Sequence, residues 1–197
     1  MIKRLLLVDC EAKLVKAWSE VFENFDFVSA HQGDFFAYPA DCMVSPANSF
    51  GIMDGGLDLA IRKHLGFAVQ EKVQRRIVEQ FHGELPVGSA LLVETGHRTW
   101  PYLVVAPTMR VPENIAQTVN AYLSFRAALL AVERFNREAG KEAIGSILCP
   151  GLGTGIGGVE PQRCAMQMRM ALKNAVEPAR IPSFAQIHAM HRALRSS

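Results

Sequence analysis

The stretch Val44-Ser-Pro-Ala-Asn48-Ser-Phe-Gly-Ile-Met-Asp54-Gly-Gly-Leu-Asp58-Leu-Ala-Ile61 decides how this chain is read. An apolar run, Cys42-Met43-Val44, leads into it, and the start of a helical pattern leads out. Between them lie Asn48, the adjacent glycines Gly55 and Gly56, and Asp58. Strand, glycine turn and helix start in that order aim backbone N–H groups and a helix N-terminus at one place, where an anion can sit. Asn48 and Asp58 share that loop. Taken singly, an acid at a helix start is often only a cap, and an Asn only a turn residue. Together they form a polar pair suited to holding a water and a sugar hydroxyl.

The chain around this stretch alternates strands and helices. Leu5-Leu-Leu-Val8 is a continuous apolar run, as in a buried strand. Ala12, Val15, Trp18, Val21 and Phe22 recur at helical spacing and predict a helix over Glu11–Phe25. Strands are expected at Phe27–Ala30, Asp41–Ser45, Ala90–Val93, Tyr102–Ala106 and Ile144–Cys149. Helices are expected at Asp58–Leu65, ended by Gly66, and at Val69–Phe81, Asn114–Ala139 and Glu160–Val176. Ser183–His188 alternates apolar and polar residues and reads as a strand before a short terminal helix. The alternation predicts an α/β fold with a mixed, mostly parallel sheet, in which ligands bind beyond the carboxyl ends of the strands. The 197 residues suit a single domain, 1–197.

A second glycine loop follows the predicted strand Ile144–Cys149. Gly151, Gly153, Gly155, Gly157 and Gly158 fall within eight residues, with Thr154 and Ile156 among them. Gly153, Gly155 and Gly158 satisfy G-x-G-x-x-G, but too little chain follows for the rest of a dinucleotide-binding sheet. So many glycines lose more backbone entropy on folding than a plain turn requires, which favours a phosphate cradle.

Composition narrows the function classes. The net charge is +2 with no block of like charge, so nothing predicts binding to nucleic acid or an acidic membrane surface. Cys10, Cys42, Cys149 and Cys164 form no CxxC pair and read as free, buried thiols. His188 and His191 lack a third metal ligand nearby, so no metal is expected. Cys149, just before the glycine loop, reads as buried rather than nucleophilic. Arg62, Lys63 and His64 read as solvated. No apolar run has the length of a membrane span, and the first residues lack a signal-peptide core, so a cytoplasmic protein is expected.

Gly33-Asp34, Val44-Ser-Pro-Ala-Asn48-Ser, Gly55-Gly56-Leu57-Asp58-Leu-Ala-Ile and Thr154-Gly155-Ile156 before the last long helix resemble the macro domain. The resemblance covers roughly residues 27–176. It implies a three-layer α/β/α sandwich that binds ADP-ribose or a derivative, free or attached to protein, and hydrolyses it without a cofactor. By this likeness Asp34, with Phe35 beside it, would hold the adenine amino group. Gly55, Gly56 and Leu57 would line the diphosphate on one side, and Gly153, Thr154, Gly155, Ile156 and Gly157 on the other. Asn48 would hold the distal ribose and Asp58 would activate water.

The departures from the family pattern are Ser45 and Pro46 for Asn and Ala, Met53 and Asp54 for glycines, and Gly157 for an aromatic residue. Asp54 adds negative charge beside the diphosphate position. Gly157 should leave the ribose pocket more open, a gap that Phe50 could fill. The Gly157 and Met53-Asp54 departures favour the alternative of a non-catalytic ADP-ribose-binding module. A second alternative is a Rossmann-like nucleotide or methyl-donor binding protein, with Asp9 closing the first strand against a ribose.

Overall fold

The computed structural model describes residues 2–140 and 143–196. Six strands form one sheet: β1 (Arg4–Asp9), β2 (Val28–Gln32), β3 (Cys42–Ser45), β4 (Leu91–Glu94), β5 (Tyr102–Val105) and β6 (Ser146–Cys149). The helices are α1 (Ala12–Val21), α2 (Gly56–Leu65), α3 (Ala68–Phe81), α4 (Asn120–Glu138), α5 (Pro161–Val176) and α6 (Phe184–Ser196). The sheet order is β2-β1-β6-β3-β5-β4. All pairings are parallel except β4 with β5. The expected mixed, mostly parallel α/β sheet is the one observed.

The continuous apolar runs of the strands follow from burial on both faces. Leu5 and Leu7 of β1 enter one core and Leu6 and Val8 enter the other. In β6, Ile147 and Cys149 face the first core and Leu148 the second. Helices α1, α4, α5 and α6 cover the first face. Helices α2 and α3, with the short 3-10 turn at Phe35–Ala37, cover the second. Trp18 and Trp100 are both core residues, and the Trp100 indole N–H donates to the Tyr38 carbonyl.

Because β1, β2, β3, β5 and β6 run the same way, the loops after them meet on one rim. Backbone hydrogen bonds stitch these loops together. Thr108 donates to Ala47, Ser49 to Arg110, and Ile115 to Gly157 (2.8 Å). The carboxylate of Asp9 accepts from the Glu11 and Gly151 amides, tying the end of β1 to the second glycine loop.

Several boundaries differ from expectation. The predicted strand at Ser183–His188 is helix α6. Period-2 alternation over six residues gives way to Ile187, Met190 and Leu194, spaced as one helix face. Leu194 is buried, Met190 packs on the first core, and the buried Gln167 donates to the Leu194 carbonyl. Helix α4 starts at Asn120 rather than Asn114, because residues 114–119 are held in the rim through Ile115 and Thr118. Helix α1 stops at Val21, and Phe22, Phe25 and Phe27 then stack edge to face. Helix α2 starts two residues before Asp58, at Gly56, and Ile144 lies just outside β6. Of the four thiols, Cys10 is exposed and the other three are buried. Burial pushes the thiols of Cys42, Cys149 and Cys164 well up, so they are inert.

Candidate functional site

The β3–α2 loop enters the rim at Ser45 and leaves it at the α2 N-terminus. Gly56 opens the helix at φ +55°, a conformation that favours glycine, and a Cβ added at Gly55 or Gly56 would meet nothing within 4 Å. No side chain caps this end. The first-turn N–H groups therefore face open space beside two residues with no side chains, as an anion site requires. Leu57 turns its side chain toward the second core, so only its backbone serves the rim.

Asp58 stands in that first helical turn. It is partly buried, and its Oδ1 accepts a hydrogen bond from Ser45 Oγ at 2.5 Å. Desolvation pushes the Asp58 carboxyl up to about 6, the Ser45 bond opposes the rise, and the Asp54 charge adds to it. Ser45 is fully buried at the end of β3, and its hydroxyl is the direct polar support of Asp58. In the sequence it reads only as a departure from the family's Asn. Its position, a hydroxyl ending a buried strand ahead of a glycine turn, was the available signal. Replacing Ser45 by Ala removes the one bond that favours the ionised form. The expected result is an Asp58 titration above pH 6, measured by carboxyl NMR; an unchanged or lower midpoint would contradict this.

The side chain of Asn48 is engaged within its own loop. Its Oδ1 accepts from the Phe50 and Ile52 amides, and its Nδ2 donates to the Ile52 carbonyl at 2.7 Å. Most of its hydrogen-bonding capacity shapes its own loop, which leaves one amide N–H for a sugar. Met53 is buried in the second core, and its amide donates to Gln70 Oε1 at 2.8 Å. The same oxygen accepts from Arg62 Nη1, and the Arg62 guanidinium lies over the Phe67 ring. Arg62 is thus a brace for the loop rather than a solvated charge. His64 keeps an exposed edge but stacks on Phe36, with ring centroids 3.6 Å apart. Asp54 is exposed.

The second glycine loop lies beside the first, because β6 pairs with β3. Gly155 has open space where a Cβ would be, and Ile156 is 68% exposed. Thr154 is partly buried. Gly153 adopts φ +75° and its carbonyl accepts from Val159. Gly157 corrects an expectation. A Cβ there would lie 2.5 Å from the Gly153 carbonyl oxygen and 2.7 Å from Ile115 Cγ1. The space is filled by the loop itself, so Gly157 opens no pocket in that direction. Phe50 does not fill it either; it lies under the Arg110 guanidinium, which Glu84 holds through two hydrogen bonds.

The remaining candidates separate. Asp34 is exposed and its Oδ1 accepts from the Phe36 amide. Phe35 is 7% exposed and belongs to the second core. Asp9, whose carboxylate is bonded to two amides, has a structural task and does not await a ribose. Among the described residues no group of three or more His, Cys, Asp or Glu could hold a metal ion, and no helix is long and apolar enough to cross a membrane.

The arrangement defines an α/β/α sandwich protein with two glycine loops, an uncapped helix start and a desolvated aspartate on one rim. The family model for the Macro domain matches residues 44–168. A protein of Aquifex aeolicus (strain VF5), described as uncharacterized, is 34% identical over 137 residues, covering 70% of this chain and 75% of that one. A mutant of the Oceanobacillus iheyensis macrodomain with ADPR aligns at TM-score 0.60 and 18% identity, over 75% of this chain and 77% of that chain. Thermosipho africanus DarTG in complex with ADP-ribose aligns at TM-score 0.56 and 18% identity, over 89% of this chain and 54% of that chain. The chain belongs to the macro domain family, which excludes the Rossmann-like reading.

Proposed function

We propose that the chain binds ADP-ribose across its two glycine loops and hydrolyses a bond to the distal ribose in an ADP-ribose conjugate, such as an ester to an acidic side chain. The observation that carries this reading is Asp58 in the first turn of an uncapped helix whose glycines stand open. The diphosphate lies against the N–H groups at Gly55, Gly56 and Leu57 and against the loop from Gly153 to Gly157. Asp34 faces the adenine end of the ligand. Asp58 takes a proton from water as the water oxygen bonds to the anomeric carbon of the distal ribose. The acidic side chain departs as its carboxylate when its ester bond to that carbon breaks. A carboxylate titrating near 6 is mostly ionised at neutral pH, yet more basic than an ordinary aspartate, which suits a general base.

A second reading, binding without turnover, is favoured by Asn48, whose amide is spent largely on its own loop. Calorimetry with ADP-ribose tests binding, and release of ADP-ribose from a modified protein separates the two readings. No heat with ADP-ribose would defeat both.

The Asp54 charge opposes a diphosphate nearby. Asp54→Asn is expected to tighten ADP-ribose binding by a few-fold at low ionic strength, with the gain shrinking as salt is added. The same substitution should lower the Asp58 midpoint, since Asp54 helps to raise it. Weaker binding in Asp54→Asn would show that Asp54 contacts the ligand favourably.

A further inference from the structure

Helix α6 and the segment before it lie beyond the stretch that the family model matches, and the rim site does not use them. Helix α6 is held to the body of the fold. Gln167 bonds the Leu194 carbonyl, and Asn174 Nδ2 donates to Tyr122 Oη and lies 3.3 Å from Met190 Sδ. Between this segment, α4 and α5 is a cavity of about 1000 Å³. Phe27, Leu129, Leu172 and Met190 give it an apolar floor. Ile2 and Phe27, which precede β1 and β2, also line it, so it opens toward the amino end of the sheet, away from the rim.

Three features share this surface. The first is the cavity. The second is a set of protruding apolar side chains: Ile181 is 94% exposed, Phe184 75% and Val176 50%. Ile181 stands between Arg180 and Pro182, both of which line the cavity. The third is charge of both signs. Arg126, Arg137, Arg180 and Glu133 line the cavity and have no ion-pair partner among the described residues, while Glu177 pairs with Lys173.

We propose that this surface is a self-complementary interface that joins two copies of this chain about a two-fold axis. A closed two-fold contact needs projection and recess on the same patch, because each copy offers the same surface. Here Ile181 and Phe184 of one copy enter the cavity of the other, and Glu133 of each copy meets an arginine of its partner. A nucleic acid or an anionic amphiphile would use the arginines but leave Glu133 facing like charge. Neither would explain apolar side chains held out beside an apolar recess. The contact leaves the rim site open in both copies.

Light scattering on size-exclusion fractions, with sedimentation at about 1–100 µM, tests this. The expected result is twice the chain mass for the full chain. The double variant Ile181→Asp/Phe184→Asp changes residues exposed in the single chain, so it should fold with an unchanged circular dichroism spectrum. It should also dimerise at least about tenfold more weakly. Arg137→Glu and Glu133→Arg should each weaken the dimer, and their combination should restore it. A wild type that is monomeric throughout overturns the proposal. So does a dimer indifferent to these variants, or a monomer that takes up dodecanoate in the cavity. An ADP-ribose titration of the same samples reports separately on the rim site.

Discussion

Asp58→Ala is expected to lower the release of ADP-ribose from a modified protein by about 10²–10⁴-fold, the range for loss of a general base. Affinity for ADP-ribose should change little, because the amides of Gly55, Gly56 and Leu57 remain. Asp58→Asn keeps the shape and the Ser45 contact, so it separates charge from packing. In the wild type, turnover should rise with pH through a midpoint near 6. The same carboxyl acts on stability. Its midpoint lies above the 3.8 of an ordinary aspartate, so between about pH 4 and 6 the folded chain holds the extra proton. Stability therefore falls as pH rises through that window. Asp58→Asn should remove the fall and stabilise the chain at pH 7 by at most about 2–3 kcal/mol. Thermal unfolding at pH 4, 5, 6 and 7 checks this. A variant with wild-type pH dependence would show that Asp58 is not held up by burial.

Such a gain would mark a functional residue, since it stabilises by removing a strained charge. The buried strands, the glycine turn before α2 and the acid in its first turn are legible because each rests on local chemistry. An apolar run is buried on two faces, a glycine accepts φ +55°, and an acid suits a helix start. What was not legible depends on partners distant in sequence. Ser45 looks like a substitution until β3 and α2 bring it to Asp58. Arg62 looks solvated until Gln70 of α3 reaches back to the Met53 amide. Asn48 shows both its readings in sequence, turn residue and ligand, and the structure assigns most of its bonds to the turn. Helix α6 reads as a strand because its inward contacts, Met190 and Leu194, lie past the six residues whose alternation imitates a strand.

Gly157 supports the second large prediction, and its direction runs against family analogy. Relatives with an aromatic residue after the Ile156 position invite Gly157→Phe as a restoration of ribose contacts. The expected outcome here is the reverse. The Cβ of any residue at 157 would approach the Gly153 carbonyl oxygen to 2.5 Å and Ile115 Cγ1 to 2.7 Å. Ile115 could rotate away, but the Gly153 carbonyl is backbone and accepts the Val159 amide that closes the loop. Gly157→Ala should therefore cost about 1–3 kcal/mol as overpacking, and Gly157→Phe more. Both should weaken ADP-ribose binding at least about tenfold, because displacing Gly153 moves one wall of the proposed diphosphate site. Adding Ile115→Ala to Gly157→Ala relieves only the side-chain clash, so the pair should recover part of the stability and little of the affinity. Thermal unfolding and calorimetry on the three variants would decide it. Wild-type stability and affinity in Gly157→Ala would mean that the loop yields at Gly153, and that the ribose pocket is open after all.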